Sequence, residues 1–249
     1  MWGCPDLAGT GQNQFHPIVQ LPETYWVLNL QKPQSNWNQH YDFTFGRYDE
    51  DRKGMFTQAL FGGERTIHVG LDIGGPAQTP IYAFEEGTIH SFADNDEDGS
   101  YGPTIITQHT VSIDGIDRTL WVLHGHLSRE SLTTLEPGAS IKKGEQFASM
   151  GEEHENGGWP PHVHIQLSFE EPSEPDLEGV VSPKDREEAL IRYPDPRKIL
   201  GNLYCSIVGK VCLQCLNGSN CRWIFSVDQC QCNRQPIHDD TMMQEDFKQ

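Results

Sequence analysis

The sequence predicts a mainly β protein, a compact antiparallel β-sandwich with glycine corners. A loop-rich flank precedes it and a small cysteine-rich tail follows. Three observations carry this expectation. Twenty-four Gly and 16 Pro punctuate a chain with only 36% hydrophobic residues, so short strands joined by turns fit better than long helices. Its apolar pieces are short and alternate with a period of two. Gly138, Gly144 and Gly151 recur at turn positions between such pieces, which suits a strongly bent sandwich. At 249 residues the chain can bury one sizeable core. The expected division is a flank over 1–60, a core over 61–172, a linker with a short helix over 173–203, and a tail over 204–249.

In chain order, the flank carries Trp26, Trp37, Tyr41, Phe43, Phe45, Tyr48 and Phe56 without sustained periodicity, so it reads as loops wrapping the core. Its rings are expected to pack or to line a groove. Strands are expected at Pro80 to Phe84 and Gly87 to Phe92. The acidic turn Asp94 to Gly99 opens like a calcium-binding loop, but its twelfth position is Ile105 and its flanks read as strands, so it is taken as a solvated hairpin tip. Thr104 to Ile113 and Arg118 to His124 are two strands joined by Asp114-Gly115, a strong hairpin signal. Short pieces follow at Ala139 to Ile141 and Gln146 to Met150. Ser182 before Pro183, with acids in the next turn, predicts a helix start, and Tyr193-Pro194-Asp195-Pro196 ends that helix.

Two stretches carry chemistry. In Pro160 to Phe169 the alternation puts His162, His164, Gln166 and Ser168 on one face and Val163, Ile165, Leu167 and Phe169 on the other. In Thr66 to Gly75, His68 and Asp72 offer an imidazole nitrogen and a carboxylate oxygen, both suited to zinc. In an extended strand residues four apart lie about 13 Å from one another, too far to share one ion. The backbone must therefore bend between them, and Gly70 is the residue placed to supply that bend. The strand ending in His124-Gly125-His126 is expected to place His124 and His126 on one face as a second histidine pair. His90, His109 and His154 read as incidental. Collected, His68, Asp72, His126, His162 and His164 form a set: a catalytic zinc keeps three protein ligands and one open position, which His68, Asp72 and His164 would supply.

At these residues the chain resembles the lysostaphin-type (LytM-like) zinc metallopeptidases, which cut peptide cross-links or stems in bacterial peptidoglycan. Residues 64–169 carry the likeness, including T-P-I-Y-A before E-G-T-I, Tyr101-Gly102, and the S-I-K-K-G-E-Q segment before Gly151. Residues 35–65 and 181–201 also look loosely like flanks of such domains in larger bacterial fusions. The resemblance implies a fold of duplicated hybrid motif type and one catalytic Zn2+ on His68, Asp72 and His164. It further implies that His126 and His162 act as catalytic residues beside the metal. His124 falls where that family often has tyrosine.

The implied activity is zinc metalloendopeptidase action on a peptide or peptidoglycan. The alternative is a non-hydrolytic wall-binding or enzyme-activating module, against which all five positions are intact. A histidine phosphocarrier is a third reading, but it would have no need of a carboxylate beside its phosphohistidine. No H-E-x-x-H, G-x-S-x-G or Walker-type P-loop motif occurs. A formal charge of −18 disfavours nucleic acid and anionic membrane surfaces as partners. No apolar run is long enough to span a bilayer, and no signal segment is visible at Met1. Cys205, Cys212, Cys215, Cys221, Cys230 and Cys232 read as a disulfide framework, with a zinc knuckle as the other possibility, and Cys4 left over. Disulfides point to an extracytoplasmic location. The sequence leaves the oligomeric state, the cleaved bond and a cytoplasmic location open.

Overall fold

The computed structural model describes residues 14–31, 41–204 and, as backbone, 209–212. The strands are β1 (Thr24–Val27), β2 (Thr44–Gly46), β3 (Glu50–Asp51), β4 (Ile67–His68), β5 (Leu71–Gly74), β6 (Pro80–Tyr82) and β7 (Gly87–Asn95). They continue as β8 (Gly102–Ile113), β9 (Ile116–Gly125), β10 (Ser140–Ile141), β11 (Gln146–Ser149), β12 (His162–Ser168), β13 (Val180–Val181) and β14 (Gly209–Cys212). Two short helices, α1 (Arg186–Arg192) and α2 (Arg197–Leu200), lie near the end of the described chain.

Nine strands form one sheet in the order β10-β7-β8-β9-β12-β5-β2-β1-β14. Its neighbours pair antiparallel except β1 with β2, which run parallel. β6 and β11 pair separately, and β13-β4-β3 make a small third sheet. The expected mainly β, glycine-cornered architecture is therefore present. The Asp114-Gly115 turn joins β8 to β9 with φ of 55° and 75°, the left-handed geometry that a two-residue hairpin turn requires. One core joins the main sheet to the β6–β11 pair, where Val163, Ile165 and Leu167 of β12 pack with Leu71, Ile73, Ile105, Leu120, Val122, Ile81 and Met150, while the small third sheet packs in a second cluster of Ile67, Val69, Val181, Ala189 and Tyr193.

Two expectations change. The flank is loop-rich but contributes strands to the main sheet, because Tyr25, Val27 and Phe45 bury completely and the Tyr25 and Phe45 rings meet at 4.6 Å. Tyr25 also donates its hydroxyl proton to the Leu203 carbonyl, tying the flank to the end of the described core. The helix predicted from Ser182 begins only at Arg186, because residues 183–185 form a turn. Asp185 N–H donates to the Ser182 carbonyl at 3.0 Å and Ser182 Oγ donates to Asp185 Oδ2 at 2.5 Å, so the serine closes a turn instead of capping the helix. The cysteine tail beyond Cys212 lies outside the described residues, as do Cys4, Cys205 and Trp37.

Candidate active site

Three side chains from three strands converge where the small sheet meets the main one. His164 on β12 stands directly opposite Asp72 on β5, so the two share a face. His68 ends β4, which pairs with β3 and β13, whereas β5 starts at Leu71 in the main sheet. The expected bend therefore falls at Val69-Gly70. Gly70 has no positive φ; its role is space, since a Cβ there would sit 2.2 Å from His164 Cε1.

The donor atoms form a near-equilateral triangle. His68 Nε2 lies 3.2 Å from Asp72 Oδ1, His164 Nδ1 lies 3.0 Å from the same oxygen, and the two nitrogens are 3.1 Å apart. Ligands around a tetrahedral zinc with bonds of about 2.0 Å are separated by about 3.3 Å. The surrounding hydrogen bonds decide where the protons are. His68 Nδ1 faces the Arg47 carbonyl at 2.9 Å, which can only accept, so the proton is there and Nε2 carries a lone pair. Gln166 Nε2 donates to the Glu178 carbonyl at 3.3 Å, so its Oε1 faces His164 Nε2 at 3.1 Å and takes that proton, freeing Nδ1. Asp72 Oδ2 is held by Arg52 at 2.8 Å, which turns Oδ1 toward the two nitrogens.

Burial and then Arg52 push His68 down to about 4, so it is neutral. Burial alone would raise Asp72, but the Arg52 guanidinium beside it helps hold its carboxyl well below the usual carboxylate range. With their outer nitrogens engaged, His68 Nε2 and His164 Nδ1 are the atoms left to face Asp72 Oδ1, an arrangement that suits a cation between them. The donor set, the spacing and the outer hydrogen bonds all fit a zinc-type ion. Behind Asp72, Arg52 Nε meets Glu50 Oε2 at 3.1 Å, and Glu50 Oε1 accepts from Arg47 at 2.7 Å and from Leu30 N–H at 3.0 Å.

The other two expected residues adjoin this triangle. His162 Nδ1 donates to the Pro160 carbonyl at 2.7 Å, leaving Nε2 4.0 Å from Asp72 Oδ1. His126 Nδ1 donates to the Asn156 carbonyl at 2.7 Å, and its ring centre lies 4.2 Å from that of His162. Burial lowers both below the ordinary histidine value, so each presents a neutral Nε2. His126 adopts a φ of 61°, held by bonds from its N–H to Tyr101 O at 2.8 Å and from Gly151 N–H to its carbonyl at 2.9 Å.

That left-handed residue overturns one expectation. His124 pairs with Ile165 and turns to the core side, where its ring meets Phe147 at 5.0 Å. Alternation cannot pass through His126, so His124 and His126 do not share a face. Several participants carried no sequence signal, notably Arg52, Glu50 and Asn156. Tyr101 packs its ring 5.1 Å from His164 and 5.4 Å from His126 and reaches Gln166 Oε1 at 3.4 Å.

A groove of about 810 Å³ opens over the five residues. Of the flank's rings, Tyr41 and Phe56 line it, whereas Phe45 is wholly in the core. A cation cradle flanked by two neutral histidines, at the floor of an open groove, is the arrangement of a hydrolytic centre.

Residues 66–175 match peptidase family M23, a span that holds all five site residues. That span is similar to peptidase family M23, the LytM-like group that the sequence resembles. No curated protein matches the chain. Among solved structures, it is similar to the catalytic domain of the antimicrobial peptidase lysostaphin from Staphylococcus simulans, with 20% identity and a TM-score of 0.40 over 59% of this chain and 92% of that one. It is also similar to the catalytic domain of the prophage-encoded M23 protein EnpA from Enterococcus faecalis, in its A109H mutant form, with 21% identity and a TM-score of 0.38 over 60% and 93%. A zinc-containing peptidase from Vibrio cholerae aligns at 20% identity and a TM-score of 0.36 over 49% of this chain but 32% of that one.

Proposed function

We propose that the chain is a zinc-dependent endopeptidase that hydrolyses peptide bonds, with the peptide of bacterial peptidoglycan as its substrate. The observation that carries this is the convergence of three ligand atoms, His68 Nε2, Asp72 Oδ1 and His164 Nδ1, beside His126 and His162. These three atoms would hold one Zn2+. Zinc bound there supplies Lewis acidity toward a scissile carbonyl and makes water reactive near neutral pH.

His126 and His162 do the proton work. The carbonyls of Asn156 and Pro160 hold their Nδ1 protons, so each ring offers Nε2 as the base. Those atoms take up the proton of the attacking water and return one to the leaving amine, while the resulting imidazolium favours the negative tetrahedral oxygen. Arg52 and Gln166 keep Asp72 and His164 aimed throughout.

The peptidoglycan substrate is supported by the match of residues 66–175 to peptidase family M23. An extracytoplasmic location is part of this proposal, and six clustered cysteines suit that compartment. Among the described residues no helix is long and apolar enough to cross a membrane. The test is mass spectrometry of products after the protein meets purified cell-wall fragments. The expected result is new peptide termini that vanish under chelation and return with zinc. Turnover that ignores chelation contradicts the proposal.

A further inference from the structure

The groove is unevenly furnished, and its contents bear on which peptide it takes. Trp159 begins an apolar wall at the reacting centre, with its ring centre 6.4 Å from that of His126. Phe56 continues the wall 6.3 Å from Trp159 and is backed by Phe61 at 4.9 Å, with Met55 and Leu60 also lining the groove. Consecutive peptide Cα atoms are about 3.8 Å apart, so Trp159 lies within about two residues of a scissile bond and Phe56 within about four.

The carboxylates sit beside it. The β7–β8 hairpin tip is fastened to the apolar wall, since Trp159 Nε1 donates to the Gly99 carbonyl at 3.3 Å. Asp96 and Glu97 on that tip line the groove, are exposed, and make no ion pair among the described residues. Asp94 is different, because Arg129 neutralises it at 2.8 Å. Asp176 and Glu178 add negative charge along the same groove. Of the two arginines lining it, Arg52 is already held by Glu50 and Asp72, leaving Arg65 against five carboxylates, Asp42, Asp96, Glu97, Asp176 and Glu178.

We infer that the groove selects a peptide with a large apolar side chain and a neighbouring cationic side chain within about four residues of the cleaved bond, in preference to an oligoglycine run. This rests on the endopeptidase reading but not on its peptidoglycan substrate, since wall peptides carry no large apolar side chain; it widens the substrate class to a protein segment. Glycine has no side chain to cover Phe56 and Trp159, so an oligoglycine strand would leave that wall wet. A lysine or arginine next to the apolar residue reaches the field of Asp96 and Glu97, while an acidic residue is repelled.

The experiment uses the full chain loaded with zinc. Its substrates are synthetic peptides holding Phe-Lys, Phe-Glu or Gly-Lys in one glycine-rich frame, an oligoglycine peptide, and peptidoglycan fragments. Cleavage is read by mass spectrometry. The Phe-Lys peptide should show a kcat/KM about 10-fold or more above oligoglycine. Phe56→Ala should shrink the Phe-Lys over Gly-Lys ratio, with bound zinc and circular dichroism confirming the fold. The exposed double change Asp96→Asn with Glu97→Gln should shrink the Phe-Lys over Phe-Glu ratio, as should high salt in the unaltered protein. Equal rates on all peptides, or faster cleavage of oligoglycine, overturn the inference and leave the endopeptidase standing. Failure to cut any peptide or peptidoglycan overturns both.

Discussion

His164 is the residue on which the site turns, because it is both a corner of the donor triangle and the neighbour of Gly70. His164→Ala should abolish metal binding and activity together, whereas His126→Ala or His162→Ala should keep the metal and slow turnover by about 10²- to 10⁴-fold. Metal content and kcat measured on the same preparations check this. Gly70→Ala would place a methyl 2.2 Å from the His164 ring and should displace it, weakening zinc binding although the backbone there is unstrained. Gln166→Leu removes the acceptor at His164 Nε2 and should cost about 10- to 100-fold in zinc affinity by competition with a chelator. The five chemical residues were legible because they fall in short local patterns, His68 with Asp72, the His162-x-His164 strand, and Gly125-His126-Leu127-Ser128. Their supports were not. Arg52 and Glu50 look like ordinary surface charges until folding brings Asp72 against them, and nothing around His124 announces that His126 takes a left-handed φ.

Among the elements, the break between β4 and β5 lets one short stretch serve two sheets. His68 stays with the small sheet and Asp72 with the large one, and the two still meet at 3.2 Å. The need for this break followed from spacing alone, but its form did not, since β3, β4 and β13 have two residues each and cannot display a period. The longer strands β7, β8, β9 and β12 were visible for the opposite reason. β1 and β2 were hidden in the flank, because their burial depends on distant partners. The β8–β9 hairpin permits a clean test, since it lies away from the groove. Gly115→Val forces a branched side chain to a φ of 75° and should cost about 1–2 kcal/mol, a fall of several degrees in Tm. Thermal unfolding reads the loss, and zinc content per folded molecule should not change.

At the scale of the whole molecule, two histidines that the site does not use, His109 and His124, add to an acid sensitivity shared with the buried His68, His126 and His162. Burial pushes His109 down to about 4 and His124 to about 3, so the folded chain refuses protons that the unfolded chain takes up near 6.5. The unfolded state then binds more protons, so stability is full above about pH 6.5 and falls as pH drops toward those folded values. Each histidine contributes up to about 1.4 kcal/mol per pH unit in that window. Asp72, held low, acts in the same direction once the pH falls through the usual carboxylate range. Denaturant titrations at successive pH values should show this slope, and His124→Leu should flatten it; an unchanged slope contradicts the assignment. The most direct measurement compares zinc content and peptide hydrolysis in the unaltered protein and in His164→Ala. The predicted difference is one zinc per chain, whatever the cysteine tail binds, accompanied by complete loss of hydrolysis. Equal zinc in the two proteins, or hydrolysis that survives in His164→Ala, would contradict a catalytic metal held by His68, Asp72 and His164.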